Sequence, residues 1–185
     1  MIDTVTGRFE RLLMRDPFAP AVVMVRPGAR DRVWVRAAIE HRAVRLAGLC
    51  TWAGLPSSAH VAFEGSNALD RMAAAFFILC SARTLVIDGG AHGVADHIAD
   101  MAIDDAFLAH PRGLVPPFTL RGISRSCDPA ALLPRPVTHG ELAAMVLAGR
   151  PPDGPMGEVL TALATGEPLA VNAGCEDDAR ATYAA

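Results

Sequence analysis

Residues 67–90 read NALDRMAAAFFILCSARTLVIDGG, and this stretch decides the fold. Leu69, Met72, Ala73, Phe76, Phe77 and Cys80 recur at helical spacing, with Asp70 and Arg71 off that stripe, so the first half reads as an amphipathic helix. Ser66 and Asn67 stand where an N-cap is needed and carry side-chain oxygens for the free amides of the first turn. The helix must stop near Ala82, because Thr84-Leu85-Val86-Ile87 is a short β-branched run. Asp88-Gly89-Gly90 closes that strand with residues that tolerate positive φ. Just upstream, residues 60–63 (HVAF) form another short strand and 64–66 (EGS) the turn into the helix. Strand, helix and strand make a βαβ unit, which requires parallel pairing and helices on the sheet. The expected class is α/β: a three-layer arrangement of mainly parallel strands with flanking helices.

Composition narrows the function classes. The length suits one domain, expected over 1–175, with an acidic frayed tail at 176–185. Apolar residues make up 51% of the chain and mean hydropathy is +0.28, yet no apolar run reaches the ~18 residues of a membrane span. With no basic-then-apolar leader, the expected location is cytoplasmic. Net charge is −3 and the arginines are scattered, which speaks against nucleic acid. All 17 basic residues are Arg, so no side chain here forms a Schiff base or serves as a phosphate-loop lysine. Cys50, Cys80, Cys127 and Cys175 lie far apart, and Cys50 and Cys80 fall on helical core stripes as small buried hydrophobes.

Outward from the βαβ unit, Thr6 is the expected cap of a short helix through Met14, with Phe9, Leu12 and Leu13 as its apolar face. Asp16-Pro17 breaks it, 21–25 and 32–35 pair as a hairpin, and 36–52 is a long helix with Ile39, Ala43, Leu46, Ala47 and Cys50 as its stripe. Beyond Gly90, the pattern predicts a helix over 94–101, a strand near 106–108, and a long proline-rich loop over 111–136 around one strand at 118–123. Thr138 and Glu141 open a helix at 139–147 in near capping-box form. A helix over 156–164, with Gly166 as its C-cap, and a strand at 169–171 end the folded part.

With these elements in place, the order of features resembles the start of the adenylate-forming (acyl-CoA synthetase, or AMP-binding) superfamily. Residues 46–49 (LAGL) stand at its RLAxxL helix end, 56–63 (PSSAHVAF) at PGDRVAL, and 64–67 (EGSN) at the turn that follows. Residues 79–88 (LCSARTLVID) resemble its LKAG segment, 134–139 (PRPVTH) the PKGVxxTH closing its phosphate loop, and 159–171 (VLTALATGEPLAV) a later helix–strand step. The resemblance covers roughly 9–171, the beginning of a family chain, and implies the fold of the family's N-terminal subdomain. Its chemistry is eroded. The expected place of the glycine-rich phosphate loop reads GISRSCDP (122–129), where Asp128 repels phosphate, and Arg135 sits near the place of the loop lysine. The motifs for adenine and ribose and the C-terminal subdomain with its lysine have no counterpart in these residues, so adenylation is not expected.

Ser124, Arg125, Ser126 and Arg135 are the candidate anion or phosphate relic, since two hydroxyls and two guanidinium groups would hold a phosphate or carboxylate; the same residues also suit a plain solvated loop. Asp96 and Asp100 lie one helical turn apart, near Asp104, Asp105, His92 and His97, a pattern shared by a hard-cation site and by a wet helix face; no metal is expected. His139 with Glu141 reads as a surface helix start rather than an acid–base pair, and no GxSxG elbow exists. No catalytic residue is assigned. The reading that follows is a truncated, non-catalytic synthetase-like protein acting as a homo-oligomer or beside a larger partner of an acyl- or amino-acid-activating pathway. The alternatives are a protein binding a small nucleotide or acyl or aryl acid, with residual ATP or AMP affinity, and one half of a split ligase.

Overall fold

The computed structural model describes residues 4–81, 83–87, 99–110, 129–132 and 135–172. Helix α1 (Val5–Arg15) is capped by Thr4, not by Thr6: Thr4 is extended and its Oγ accepts from the Gly7 amide at 3.0 Å. Strands β1 (Pro20–Val25) and β2 (Arg32–Val35) form the expected antiparallel hairpin. Helix α2 (Arg36–Trp52) buries the whole predicted stripe. Then come β3 (His60–Phe63), α3 (Ala68–Cys80) and β4 (Thr84–Val86), with β3 and β4 parallel as the βαβ reading requires. Asn67 Oδ1 caps α3, accepting from the amides of Leu69 and Asp70.

Three expectations need correction in the middle of the chain. Met101 does not end a helix but opens β5 (Met101–Ile103), which pairs in parallel with β3. The apolar residues 106–108 are no strand; they lie in the helical turn α4 (Asp105–Leu108), capped by Asp104 Oδ1 at 2.7 Å from the Phe107 amide. The proline-rich region holds two strands missed by periodicity, β6 (Pro129–Leu132) and β7 (Pro136–Thr138), each opening on a proline that ladder geometry tolerates at a first position. The strand expected at 118–123 and most of the helix expected at 94–101 lie outside the described residues.

Helix α5 (His139–Leu147) carries the complete Thr138–Glu141 capping box, α6 (Pro155–Thr165) ends at Gly166, and β8 (Leu169–Asn172) follows. Gly166 has φ +78°, and a Cβ there would press on Leu12, so glycine both ends α6 and lets α1 approach. Buried Arg36 ties that corner together, donating from Nη1 to the carbonyls of Leu12 and Asp16 and from Nη2 to that of Gly166.

The strands divide between two sheets. One has the order β2-β1-β8, with β8 parallel to β1; the other is β5-β3-β4-β6-β7, parallel except for the β6–β7 hairpin. Helix α3 touches β3 and β4 on one side and α2 and α6 on the other, while α2 and α6 reach the strands of the smaller sheet. Twelve of its thirteen residues are buried, so α3 is a central helix rather than an amphipathic one, and only Arg71 escapes. This is the α/β architecture expected of the N-terminal subdomain of acyl-CoA synthetases.

Candidate functional site

In an open parallel sheet, ligands bind beyond the carboxyl ends of the strands, where neighbouring connections diverge. Here the connection from β3 runs towards β4 and the one from β4 runs back past β3 to β5, so the divergence lies between β3 and β4, and residues 88–98, which leave β4, lie outside the described residues. Beside it, the groups that follow β3 and β5 satisfy each other. Asp105 accepts from the Ser66 amide at 3.2 Å and from the Ser66 hydroxyl at 2.9 Å, while the Glu64 amide donates to the Ile103 carbonyl at 2.9 Å. Arg71 Nη2 reaches the carbonyls of Gly65 and Ser66. A Cβ on Gly65 would stand 2.6 Å from Phe63 Cζ and 3.0 Å from Asp105 Oδ1, so a larger residue there would have to displace the Phe63 ring and the Asp105 carboxylate. The ends of β3 and β5 are thus joined by a latch.

Behind the latch lies a largely buried ion pair. Asp70 is buried and accepts from Arg42 Nη1 of α2, while Arg45 Nη2 donates to the Leu108 carbonyl at 3.1 Å. Burial pushes the Asp70 carboxyl above the usual carboxylate range, with Arg42 and then Arg45 pulling the other way. The helical-wheel reading placed Asp70 off the core stripe; the signal that it is enclosed was the unbroken apolar run 72–80, which already implied burial on every side.

At the second candidate position, Arg135 is exposed, with Nη1 at 3.4 Å from the Pro136 carbonyl and 3.6 Å from Glu141 Oε1. A carboxylate thus already faces the guanidinium that would greet an anion. Ser124, Arg125 and Ser126 lie outside the described residues. His139 is 2% exposed, not a surface residue, because it opens α5 on the face packed into the core. Glu141 is spent on the cap: Oε2 accepts from the Thr138 amide at 2.8 Å and from its hydroxyl at 3.1 Å.

Those bonds from the Thr138 backbone and then its side chain hold the Glu141 carboxyl below its ordinary value, helped by Arg135. A carboxyl depressed in the fold stabilises above its unfolded pKa and loses that contribution as pH falls through the folded one. Melting curves should therefore show Glu141→Gln losing stability against wild type at pH 7, with the gap closing at acid pH. Thr138→Ala should cost about 1 kcal/mol at pH 7, the usual worth of an N-cap.

Asp104 is consumed in capping α4, Asp105 in holding Ser66, and Asp100 Oδ2 accepts from the His60 amide at 2.7 Å. Among the described residues no three His, Cys, Asp or Glu side chains converge on one point; Asp96, His92 and His97 lie outside them. Burial raises the Cys50 thiol to about 11, against the pull of Arg83, so it stays protonated and inert.

The hairpin β6–β7 bears on phosphate binding. The segment resembling PKGVxxTH is its second arm, and Leu132 pairs with Pro136, leaving three residues between them. Of those, Pro134 lacks an amide hydrogen, as does Pro136 itself, so only Leu133 and Arg135 supply donors. A loop that wraps phosphate works through a run of successive backbone amides.

One further concavity, of about 720 Å³, runs from the loop 149–154 along α6 to the start of β8. No helix among the described residues is long and apolar enough to cross a membrane.

No protein-family model and no curated protein matches the sequence. Solved structures do match in fold. The chain is similar to a nonribosomal peptide synthetase, FmoA3, at 18% identity and TM-score 0.63, over 91% of this chain and 22% of that one. It is similar to the N-terminal domain of FACL13 from Mycobacterium tuberculosis at 13% identity and TM-score 0.64, over 92% and 57%. A fatty acyl-adenylate ligase from L. pneumophila, solved with acyl adenylate and pyrophosphate, gives 12%, 0.65, 91% and 39%. The chain thus has the fold found in the N-terminal part of adenylate-forming synthetases and spans less than two thirds of each of these neighbours.

Proposed function

We propose that this chain acts by binding rather than by forming acyl adenylates, as a synthetase-like partner in an acyl- or amino-acid-activating pathway. The observation that carries this reading is the β6–β7 hairpin. Where the resemblance places the closing of a phosphate loop, two strands are joined by three residues with two amide donors among them. The nearby cation, Arg135, is already faced by Glu141, and no lysine exists in these residues to replace it. The latch of Asp105 on Ser66 supports the same reading, since it occupies the carboxyl ends of β3 and β5 with the protein's own groups. The likeness to synthetase folds supports the pathway, and the buried thiol of Cys50, outside any disulfide, suits a reducing compartment such as the cytoplasm.

Thermal-shift titration with Mg-ATP, AMP and CoA tests it. A ligand at a hundredfold over its Kd stabilises by about 2.7 kcal/mol, which for a domain of this size raises Tm by roughly 5–10 °C. The expected result is a flat response at millimolar nucleotide. A rise of that size with ATP or AMP overturns the reading.

A further inference from the structure

Among the described residues, the smaller sheet has two unpaired edges of opposite charge. In the order β2-β1-β8, the outer strands each pair with described residues on one side only. Strand β8 (LAVN) carries no charge and no proline, two of the devices that blunt a free edge. The groove along α6 lies on its side away from β1, because its described lining includes Leu169 and Ala170 but no residue of β1. The charged side chains of that groove are Asp153, Glu158 and Glu167, all exposed, against Arg150 alone. The β2 edge has the reverse sign: Arg26 and Arg30 flank the hairpin turn and Arg32 opens the strand, against Asp31 alone.

The registers make these edges fit. Strand β8 runs parallel and β2 antiparallel to β1, so β2 of one molecule set beside β8 of another gives an antiparallel pair. Arg32 and Val171 are both level with Met24, so repeating the sheet's own register sets Arg32 of the one copy beside Val171 of the other. Arg32 shares a sheet face with Trp34, its guanidinium 4.8 Å over the ring, and Trp34 packs on the helix-side core. Strand β8 doubles back along α6 after a three-residue connection. Three strand residues retrace roughly 10 Å, or about seven helical residues, which brings Glu158 level with the end of β8 on that same helix side. The loop bearing Asp153 lies further along, towards where the neighbour's Arg26 and Arg30 would stand.

The geometry points to a second copy of this chain as the occupant of the groove: β2 of one copy adds to β8 of the next, joining two three-stranded sheets into one of six strands. Arg26, Arg30 and Arg32 then face Asp153 and Glu158 across the joint. The contact is head-to-tail, so it closes into a ring or continues as a filament. This deepens the binding role proposed above by naming a partner, and its test involves no nucleotide.

Sedimentation velocity at low ionic strength should show mass rising with protein concentration, and the rise should weaken at about 0.5 M salt, where screening is strong. Arg32→Glu and Glu158→Arg, both at exposed positions, should each weaken association about tenfold or more by setting like charges together. Mixed in equal amounts, the two variants should associate again, because each swapped edge then meets its opposite. A wild-type chain that stays at 19.5 kDa up to about 0.2 mM, well above the Kd range of stable contacts, overturns the inference. So do swaps without effect, or a mixture that fails to recover. Monomers with a flat nucleotide titration would sink this inference alone, whereas assembly together with a nucleotide shift would sink the binding-only reading alone.

Discussion

Phe76→Ala should destabilise the chain by about 3–5 kcal/mol, the range for removing a buried aromatic side chain. Phe76 is 2% exposed in the middle of the most enclosed helix, and its ring meets Phe9 of α1 edge-on, with centroids 5.0 Å apart at 65°. The residues around it on α3, Ala73, Ala74 and Ala75, are too small to close the space left behind. The loss therefore has two parts, the transfer of the ring to water and a cavity the helix cannot collapse. At roughly 2–4 °C per kcal/mol for this size, Tm should fall by about 10 °C. Phe18→Ala is the matched control: that ring is 77% exposed and its removal should move stability by less than about 0.5 kcal/mol. A Phe9/Phe76 double-mutant cycle should give a coupling of about 0.5–1.5 kcal/mol from the edge-on contact. Urea unfolding followed by circular dichroism reads all three, and a Phe76→Ala loss under about 1 kcal/mol would mean that α3 is not the centre of the core.

The same helix shows which parts of the fold a sequence announces. The βαβ unit was legible because its information is local: an apolar period over 69–80, a cap at Asn67 and a β-branched run at 84–87 within some twenty residues. The Thr138–Glu141 box was legible for the same reason. What stayed hidden depends on partners far along the chain. Strand β8 pairs with β1 across most of the sequence, so the division into two sheets has no local signature. Strands β6 and β7 were masked by prolines that are harmless at strand starts. At 106–108, three apolar residues fit helix or strand equally, and the neglected evidence was Asp104, a good cap three residues before Phe107. Of the candidate site, Arg135 is exposed, and its carboxylate neighbour comes from the cap on the next helix, a contact that spacing alone does not reveal.

Arg42→Ala and Asp70→Asn should move stability in different ways although they break the same pair. Asp70 is 11% exposed at its side chain and Arg42 40%, so the pair is closed on the carboxylate side and open on the other. Removing the arginine leaves a charge where water hardly reaches. A fully buried pair broken this way costs about 3–5 kcal/mol; with Arg42 partly solvated and Arg45 still near, about 2–3 kcal/mol is expected at pH 7. Removing the charge instead relieves the burial that pushes the Asp70 carboxyl up, while Arg42 turns to solvent at little cost. Asp70→Asn should therefore be near neutral. The pH dependence separates the two further. A carboxyl raised in the fold takes up its proton more readily there than in the unfolded chain, so ionising it costs stability as pH climbs through the folded value. The Arg42→Ala deficit should shrink as pH falls and Asp70 is protonated, whereas Asp70→Asn should show no such recovery. Urea midpoints for both variants between about pH 4 and 8 decide the matter. If Asp70→Asn proves as damaging as Arg42→Ala at pH 7, the ionised carboxylate contributes more through Arg42 than its burial takes away, and the balance of charge at this helix junction runs the other way.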